Sequence, residues 1–418
     1  MALPILDEAR ELIWTSEQTL KDVFTRADAI ETVTQQRVLE AFQEEYVSAR
    51  HFTPSNGYGY DDIGRDTLDR VFARSLQAEA ALVRPHIVNG THAIYLAVAG
   101  VTKPGDTVLS ITGDPYDTLE QAFGLRGEAP GSLKSLGIDF QTIPLKDDRI
   151  DLEAAQKAIS ADPSIRIIFI QRSRGYSWRN AINVASMGEA VNALRAIRKD
   201  LIFIADNCYG EFTAAMEPTA LGVDLIAGSL IKNPGGGLAP TGGYIAGKAN
   251  LIDLVAQRLT IPGLGGEVGS YEATYRPFYQ GLFLAPHAVN QCIKTAALFA
   301  RVFSSMGYKT LPEASDVRSD IIQAIQFGTA EELRAFCTAI QQAAPIDSFV
   351  VPEEWDMPGY ADQVIMAAGA FVQGATTELS ADGPMKPPYT AYLQGSLTYS
   401  HGRLAAMMAA SKLLSKGA

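Results

Sequence analysis

The sequence predicts a layered α/β fold with a mainly parallel sheet, followed by a smaller α+β region. Short, continuously apolar, β-branched-rich runs at 107–111, 165–170, 201–205 and 243–246 suit strands buried on both faces. Helical patterns at 154–160 and 188–198 alternate with them, as layered α/β domains require. Hydrophobic residues are 47% of the 418 and charged residues 20%, which is ample apolar material for a large core.

Taken in order, residues 5–50 hold apolar positions at helical spacing among Glu, Gln, Arg and Lys, with no Gly or Pro, and predict a helical arm. The segment Phe52-Thr-Pro-Ser-Asn-Gly-Tyr-Gly-Tyr60 breaks that pattern and predicts a loop. A helix is expected again over 67–82. The apolar run 224–230 reads as a further strand, and residues 258–285, rich in Gly, Pro and Tyr, predict a long ordered loop. Beyond it come helical patterns at 287–306 and 401–416 and strand patterns near 318–327 and 364–372. The expected division is an N-terminal helical arm (1–56), a large domain (57–285) and a small C-terminal domain (286–418). No internal repeat or low-complexity tract interrupts it.

Composition excludes several classes. A net charge of −12 argues against a nucleic-acid binder, and no Lys/Arg cluster suits anionic lipid. The three cysteines, Cys208, Cys292 and Cys337, are too far apart for a disulfide framework or a zinc site, so a reducing cytoplasm is expected. Acidic residues come too early in Met1–Arg10 for a secretory signal, and no apolar run is long enough to span a bilayer. The five histidines lack metal-ligand spacing, and no metal site is expected.

The chemistry lies at strand ends. Lys232 follows the apolar run 224–230 and precedes Gly235-Gly-Gly237, and Asp206 ends the run 201–205. A strand-end aspartate and a strand-end lysine are what pyridoxal phosphate needs. The lysine holds the cofactor covalently, and the carboxylate keeps the pyridine nitrogen protonated so that the ring accepts electrons. Asn89-Gly-Thr-His-Ala93 leads into the apolar stretch 94–98, so Gly90 and Thr91 open a helix whose free N–H groups suit a phosphate. Ser229, three residues before Lys232, is placed to reach the same phosphate. Tyr116, just past the strand 107–111, emerges on the same edge and offers an aromatic face to the ring. Taken singly, each residue has a plainer reading: a helix cap, a turn aspartate, a packed tyrosine, a solvated lysine. Their order in the chain is the more specific signal. The glycines follow Lys232, which excludes a nucleotide P-loop, and Cys208 reads as a small buried residue rather than a reactive thiol.

These motifs resemble a family. Gly57-Tyr-Gly-Tyr-Asp-Asp-Ile-Gly-Arg-Asp-Thr-Leu-Asp69, Arg84-Pro-His-Ile-Val-Asn-Gly-Thr-His-Ala93, Gly113-Asp-Pro-Tyr-Asp-Thr118, Ala205-Asp-Asn-Cys-Tyr-Gly-Glu211 and Gly228-Ser-Leu-Ile-Lys-Asn-Pro-Gly-Gly-Gly237 are similar to those of fold-type-I pyridoxal phosphate enzymes. The similarity is to the cystathionine lyase and methionine γ-lyase group, and within it to the cystathionine β-lyase-like branch associated with aluminium resistance. It implies an aspartate-aminotransferase-like large domain. Lys232 would hold the cofactor and move the substrate Cα proton, Asp206 would pair with the pyridine nitrogen, and Tyr116 would stack on the ring; for a lyase, Tyr116 or Lys232 would donate a proton to the departing thiol. Gly90, Thr91 and Ser229 would bind phosphate.

The resemblance also implies that Tyr58 reaches the neighbouring subunit's phosphate, making a dimer the minimal unit and a homotetramer expected. The group's usual arginine two residues later is here Tyr60, with Arg65 as a substitute. Ser-Leu-Ile-Lys replaces Ser-x-Thr-Lys, and Gln171-Arg-Ser-Arg-Gly-Tyr-Ser-Trp-Arg179 replaces the usual Glu-x-Pro-x-Asn loop. Arg172, Arg174 and Arg403 are the candidates for the substrate carboxylate. The implied activity is carbon–sulfur lysis, by β- or γ-elimination, on an amino acid such as cystathionine or methionine. An aminotransferase or other Cα-chemistry enzyme is one alternative, and a non-catalytic stress or metal-tolerance protein with the same fold is the other.

Overall fold

The computed structural model describes residues 5–415 except 128, 358, 359 and 361. The first four residues of the N-terminal stretch and position 416 of the expected 401–416 helix therefore lie outside the described residues.

The larger sheet has seven strands: β1 (Ala80–Arg84), β2 (Thr107–Ser110), β3 (Asp139–Thr142), β4 (Ile165–Gln171), β5 (Ile202–Asp206), β6 (Leu225–Ser229) and β7 (Gly243–Gly247). Their order is β1-β7-β6-β5-β4-β2-β3. Only β7 runs against its neighbours; β6, β5, β4, β2 and β3 pair in parallel. Continuous apolar strands follow from burial on both faces. Ile168, Phe203 and Ile226 join one core with the helices Ile63–Ser75 and Val184–Arg195, while Phe169, Ile204 and Ala227 join another with the helices Gly90–Val101 and Ala249–Leu259. Parallel pairing sends the carboxyl ends of β2, β4, β5 and β6 to one edge, where ligands of such sheets bind.

The second sheet is antiparallel throughout: β8 (Lys309–Leu311), β9 (Ile322–Gln326), β10 (Glu354–Trp355), β11 (Val364–Ala368), β12 (Ser380–Pro384) and β13 (Thr390–Gln394), in the order β10-β11-β12-β13-β9-β8. Period-two alternation divides its faces. Ile325, Ile365, Ala381, Ala391 and Leu393 enter a core with helices Arg276–Ser305, Ala330–Ala343 and Tyr399–Leu414. On the other face, Ile322 and Tyr392 pack against Tyr176 and Tyr209 of the larger unit. Asp382 lies directly across from Tyr392 in the strand register and shares that face.

Several elements differ from expectation. The helical arm is two helices, Asp7–Gln18 and Lys21–Glu44; Ala9 and Ile13 join the core of the small sheet, Val38 and Ala41 that of the large one. The helix expected over 67–82 ends at Ser75, because Gln77 turns the chain at a φ of 54° and residues from Ala80 pair with β7 instead. The expected 258–285 loop gives way to helix at Arg276, where Pro277 sits in the first turn and no N–H is missed. That helix runs unbroken through residue 285, where the expected division falls. No described helix is long and apolar enough to cross a membrane.

Candidate active site

Strand ends bring the predicted residues together. Gln171 and Asp206 are register partners at the ends of β4 and β5, and Ser229 ends β6. After Ser229 the chain turns sharply, and this turn needs its glycines. A Cβ on Gly235 would stand 1.9 Å from the Leu230 carbonyl oxygen, and one on Gly236 2.3 Å from that of Gly281. The turn is thus clamped between its own strand and the Arg276–Ser305 helix, and Lys232 projects into a cavity. Asp206, Ser229, Gly90, Thr91 and Tyr116 line the same cavity.

Lys232 Nζ lies 3.8 Å from the centroid of the Tyr209 ring. Burial works against its charge, yet Cys208, Tyr209 and Asp206 hold its pKa above the ordinary lysine range. Burial pushes the Asp206 carboxyl up, offset by Lys232 and by the Cys208 N–H, which donates to Oδ1 at 3.0 Å. The Cys208 thiol is pushed up well above its usual value by burial first and the Asp206 charge second, so it is an inert neighbour. Tyr209 adopts φ 70°, a costly conformation for a tyrosine, and this turns its ring under the lysine.

The residues fit a phosphate-bearing cofactor. Asn89 caps the helix Gly90–Val101 by accepting from the His92 N–H at 2.9 Å. A Cβ on Gly90 would fall 3.1 Å from Ser229 Cβ and 3.3 Å from Cys208 Sγ. Any larger residue would therefore fill the space shared by the free N–H groups and the serine, and glycine leaves it open for an anion. Thr91 Oγ1 is 3.0 Å from Thr118 Oγ1. Gln171 Oε1 is a buried acceptor with no partner. Tyr116 packs on Gly175, and its hydroxyl bonds to that of Tyr360.

The other predicted residues stand elsewhere. Tyr58 is 72% exposed, stacks on Tyr60 and does not reach the cavity of its own chain. Arg65 is buried, with Nε on Asp66 and Nη1 on the Gly59 carbonyl of its own chain. None of the three arginines chosen for the substrate carboxylate lines the cavity. Arg172 is a strut beneath it, donating to Asn207 Oδ1 at 2.8 Å and Thr213 Oγ1 at 3.0 Å, with Glu217 4.0 Å away. Gly210 makes room for this, since a Cβ there would lie 2.4 Å from Arg172 Cδ. Arg403 pairs with Glu17 at 2.8 Å on the outer side of the C-terminal helix. Arg174 sits behind Ser173, donating to the Leu311 carbonyl at 2.7 Å, with Nε 3.7 Å from Asp320 and both Nε and Nη2 lacking hydrogen-bond partners. Its charge backs the cavity wall without touching the space.

Besides Tyr209, sequence reasoning missed much of the polar lining: Gln171, Ser173 and Tyr176 from the arginine-rich segment, and Asp382, Tyr392 and Gln394 from the small sheet. The first group follows β4 on the same edge as Asp206, and that position was a usable signal. In the second, Asp382 offers none, because Ser380-Ala-Asp-Gly-Pro384 lacks the β-branched residues that mark a strand.

A family model described as methionine gamma-lyase matches residues 9–414. A crystal structure of a carbon-sulfur lyase involved in aluminum resistance, from Clostridium novyi NT, is 49% identical, with a TM-score of 0.95, 98% of this chain covered and 96% of the other. The uncharacterized protein YnbB of Bacillus subtilis is 48% identical over 402 residues, 96% of this chain and 95% of its own. The pyridoxal-5'-phosphate dependent protein YhfS from Escherichia coli, at 14% identity and a TM-score of 0.61 over 99% of both chains, shares the fold. With a family model spanning nearly the whole sequence and relatives near half identical, the chain belongs to the methionine gamma-lyase family of pyridoxal phosphate-dependent enzymes.

Proposed function

We propose that the protein is a carbon–sulfur lyase that cleaves a sulfur-containing amino acid. One observation carries the reading: Lys232 and Asp206 line one cavity together with the opening at Gly90 and Ser229. Family membership and the Clostridium novyi relative support the reaction class.

Lys232 and Asp206 would hold the cofactor at its two reactive ends, with Gly90, Thr91 and Ser229 for the phosphate and Tyr116 for the ring; their shared cavity supports this. Bound there, pyridoxal phosphate supplies the electron sink that stabilises negative charge at the substrate Cα. Lys232 would be the group that moves the Cα proton, and the buried Asp206 carboxylate would pair with the ring nitrogen and keep it protonated. Burial pushes the Tyr116 phenol well above its ordinary range, so it keeps its proton and acts as a hydrogen-bond donor. Ile94, Leu119, Ile231 and Ile322 supply apolar wall and limit access of water. The balanced outcome for a β-thioether is one water consumed, with thiol, pyruvate and ammonia released.

The active unit is read as a homo-oligomer, a dimer at least and a tetramer by pairing of dimers, in which Tyr58 serves the neighbouring cavity. Its exposure beside exposed Tyr60 and Ile63 supports this. Three free cysteines fit a reducing, cytoplasmic setting. Purified, cofactor-loaded protein should release thiol and pyruvate from cystathionine. Amino transfer between an amino acid and a keto acid, with no thiol, would overturn the lyase reading, and a monomer in sedimentation would overturn the oligomer.

A further inference from the structure

The cavity has two walls of different electrical character. On the large-sheet side, Asp206 faces Lys232. On the small-sheet side the charged group is Asp382, brought inward by the alternation of β12 beside Tyr392 and near Gln394 of β13. Among the described residues the cation that reaches Asp382 is Lys232, already shared with Asp206. The surrounding groups are phenols: Tyr176, Tyr116, Tyr360, Tyr392 and Tyr209. The Tyr176 hydroxyl lies beside the carboxylate and is buried without a well-formed hydrogen bond.

A carboxylate in such a place is unfavourable unless something pairs with it. Burial pushes Asp382 up to about 7, with Tyr176 and Lys232 only partly offsetting it. An incoming ammonium group would restore its ordinary ionisation. The wall is thus built to receive positive charge on the side opposite the cofactor strand ends.

We propose that Asp382 is a specificity-determining residue that pairs with a second ammonium group on the side chain of a thioether amino acid. The inference rests on the lyase reading and names its substrate class: diamino thioether acids, of which cystathionine is one, over thioethers with no distal charge. Tyr392 and Gln394, on the same face, are placed to complete the hydrogen bonds of that ammonium.

The test compares cystathionine and S-(2-aminoethyl)cysteine, which carry a distal ammonium with and without a carboxylate, with S-ethylcysteine, which has the same cleavable bond and neither distal charge, in wild-type and Asp382→Asn enzymes. The visible absorbance of the lysine-linked cofactor is recorded in both, and substrate binding is measured from its perturbation. Wild type should prefer the two ammonium-bearing compounds. Asp382→Asn should lose about tenfold to a hundredfold in kcat/KM and in binding on both of these, through KM, and change little on S-ethylcysteine. Asp382→Glu, which keeps the charge, should retain the preference. An equal loss on all three substrates through kcat would make Asp382 a proton-handling or structural group and overturn the proposal, as would no change on any. Loss of the cofactor band in Asp382→Asn together with loss of preference in Asp382→Glu would assign the residue to packing alone. If wild type releases thiol from none of the three, the lyase reading fails. The binding difference between the ammonium-bearing compounds and S-ethylcysteine then still decides the role of Asp382.

Discussion

The two walls of the cavity are made by opposite logics. The large-sheet wall is built from strand ends, where parallel pairing gathers residues far apart in sequence at one edge. Lys232, Asp206, Ser229 and Gly90 meet there, and the lysine and aspartate offset each other's charge. The small-sheet wall is built along the strands, through alternate residues that face inward while their neighbours fill an apolar core. It presents phenols, an amide and a carboxylate with little cationic support. The first wall suits a fixed cofactor whose demands are the same in every turnover. The second suits a variable partner, the substrate side chain.

Replacing Lys232 should break the first wall most severely. Lys232→Ala is expected to lower kcat by about a hundredfold to ten-thousandfold and to remove the lysine-linked absorbance. An unchanged band would mean that the cofactor is held elsewhere. The next largest effect is on stability. Arg172→Met removes the buried hydrogen bonds to Asn207 and Thr213 and one of the two arginines near Glu217 among the described residues, leaving Arg37 Nη2 at 3.8 Å, and should cost about 1–3 kcal/mol in denaturant melts. A selective rise in KM with stability intact would return Arg172 to the substrate.

Glu211 gives a smaller, pH-dependent effect behind the same wall. It accepts from the Tyr244 hydroxyl at 2.6 Å, and burial pushes it up to about 8. Its folded pKa lies above the unfolded value of roughly 4.3, so its contribution to stability is full below that pH and is lost as pH rises toward 8. Thermal melts of wild type should therefore fall from about pH 5 to pH 8 more steeply than those of Glu211→Gln. Parallel slopes would show that Glu211 titrates normally. The smallest change is expected at Arg403, 36% exposed and paired with Glu17. Arg403→Ala should shift stability by less than about 1 kcal/mol and leave KM unaltered. A large KM increase would put it back in the site.

The same contrast explains what could be read in advance. Lys232, Asp206, Ser229, Gly90, Thr91 and Tyr116 were legible because apolar runs mark buried strands and a polar residue ending one must lie at the sheet edge. Asp382 was hidden, since Ser380-Ala-Asp-Gly-Pro384 lacks the branched residues of a strand and becomes one only by pairing with Val364–Ala368 and Ser380–Asp382's partners on β13. Strand β1 was read as helix because Leu68, Val71, Phe72 and Leu76 keep helical spacing up to the turn at Gln77. The arginines misled for a simple reason. Guanidinium groups near a site are as useful for bracing buried loops as for binding anions, and only coordinates separate Arg172 from a ligand contact.

The alternation of β12 also limits how this chain can be altered by insertion or deletion. Sliding β12 by one position against its neighbours would drive the Asp382 carboxylate into the core now filled by Ala381, Leu393 and Ile365, and would offer the cavity Ala381 or Gly383 instead, according to the direction of the slip. Stability and selectivity would then be lost in one genetic event. Length changes near this strand are therefore tolerable only where the loops that flank it absorb them whole.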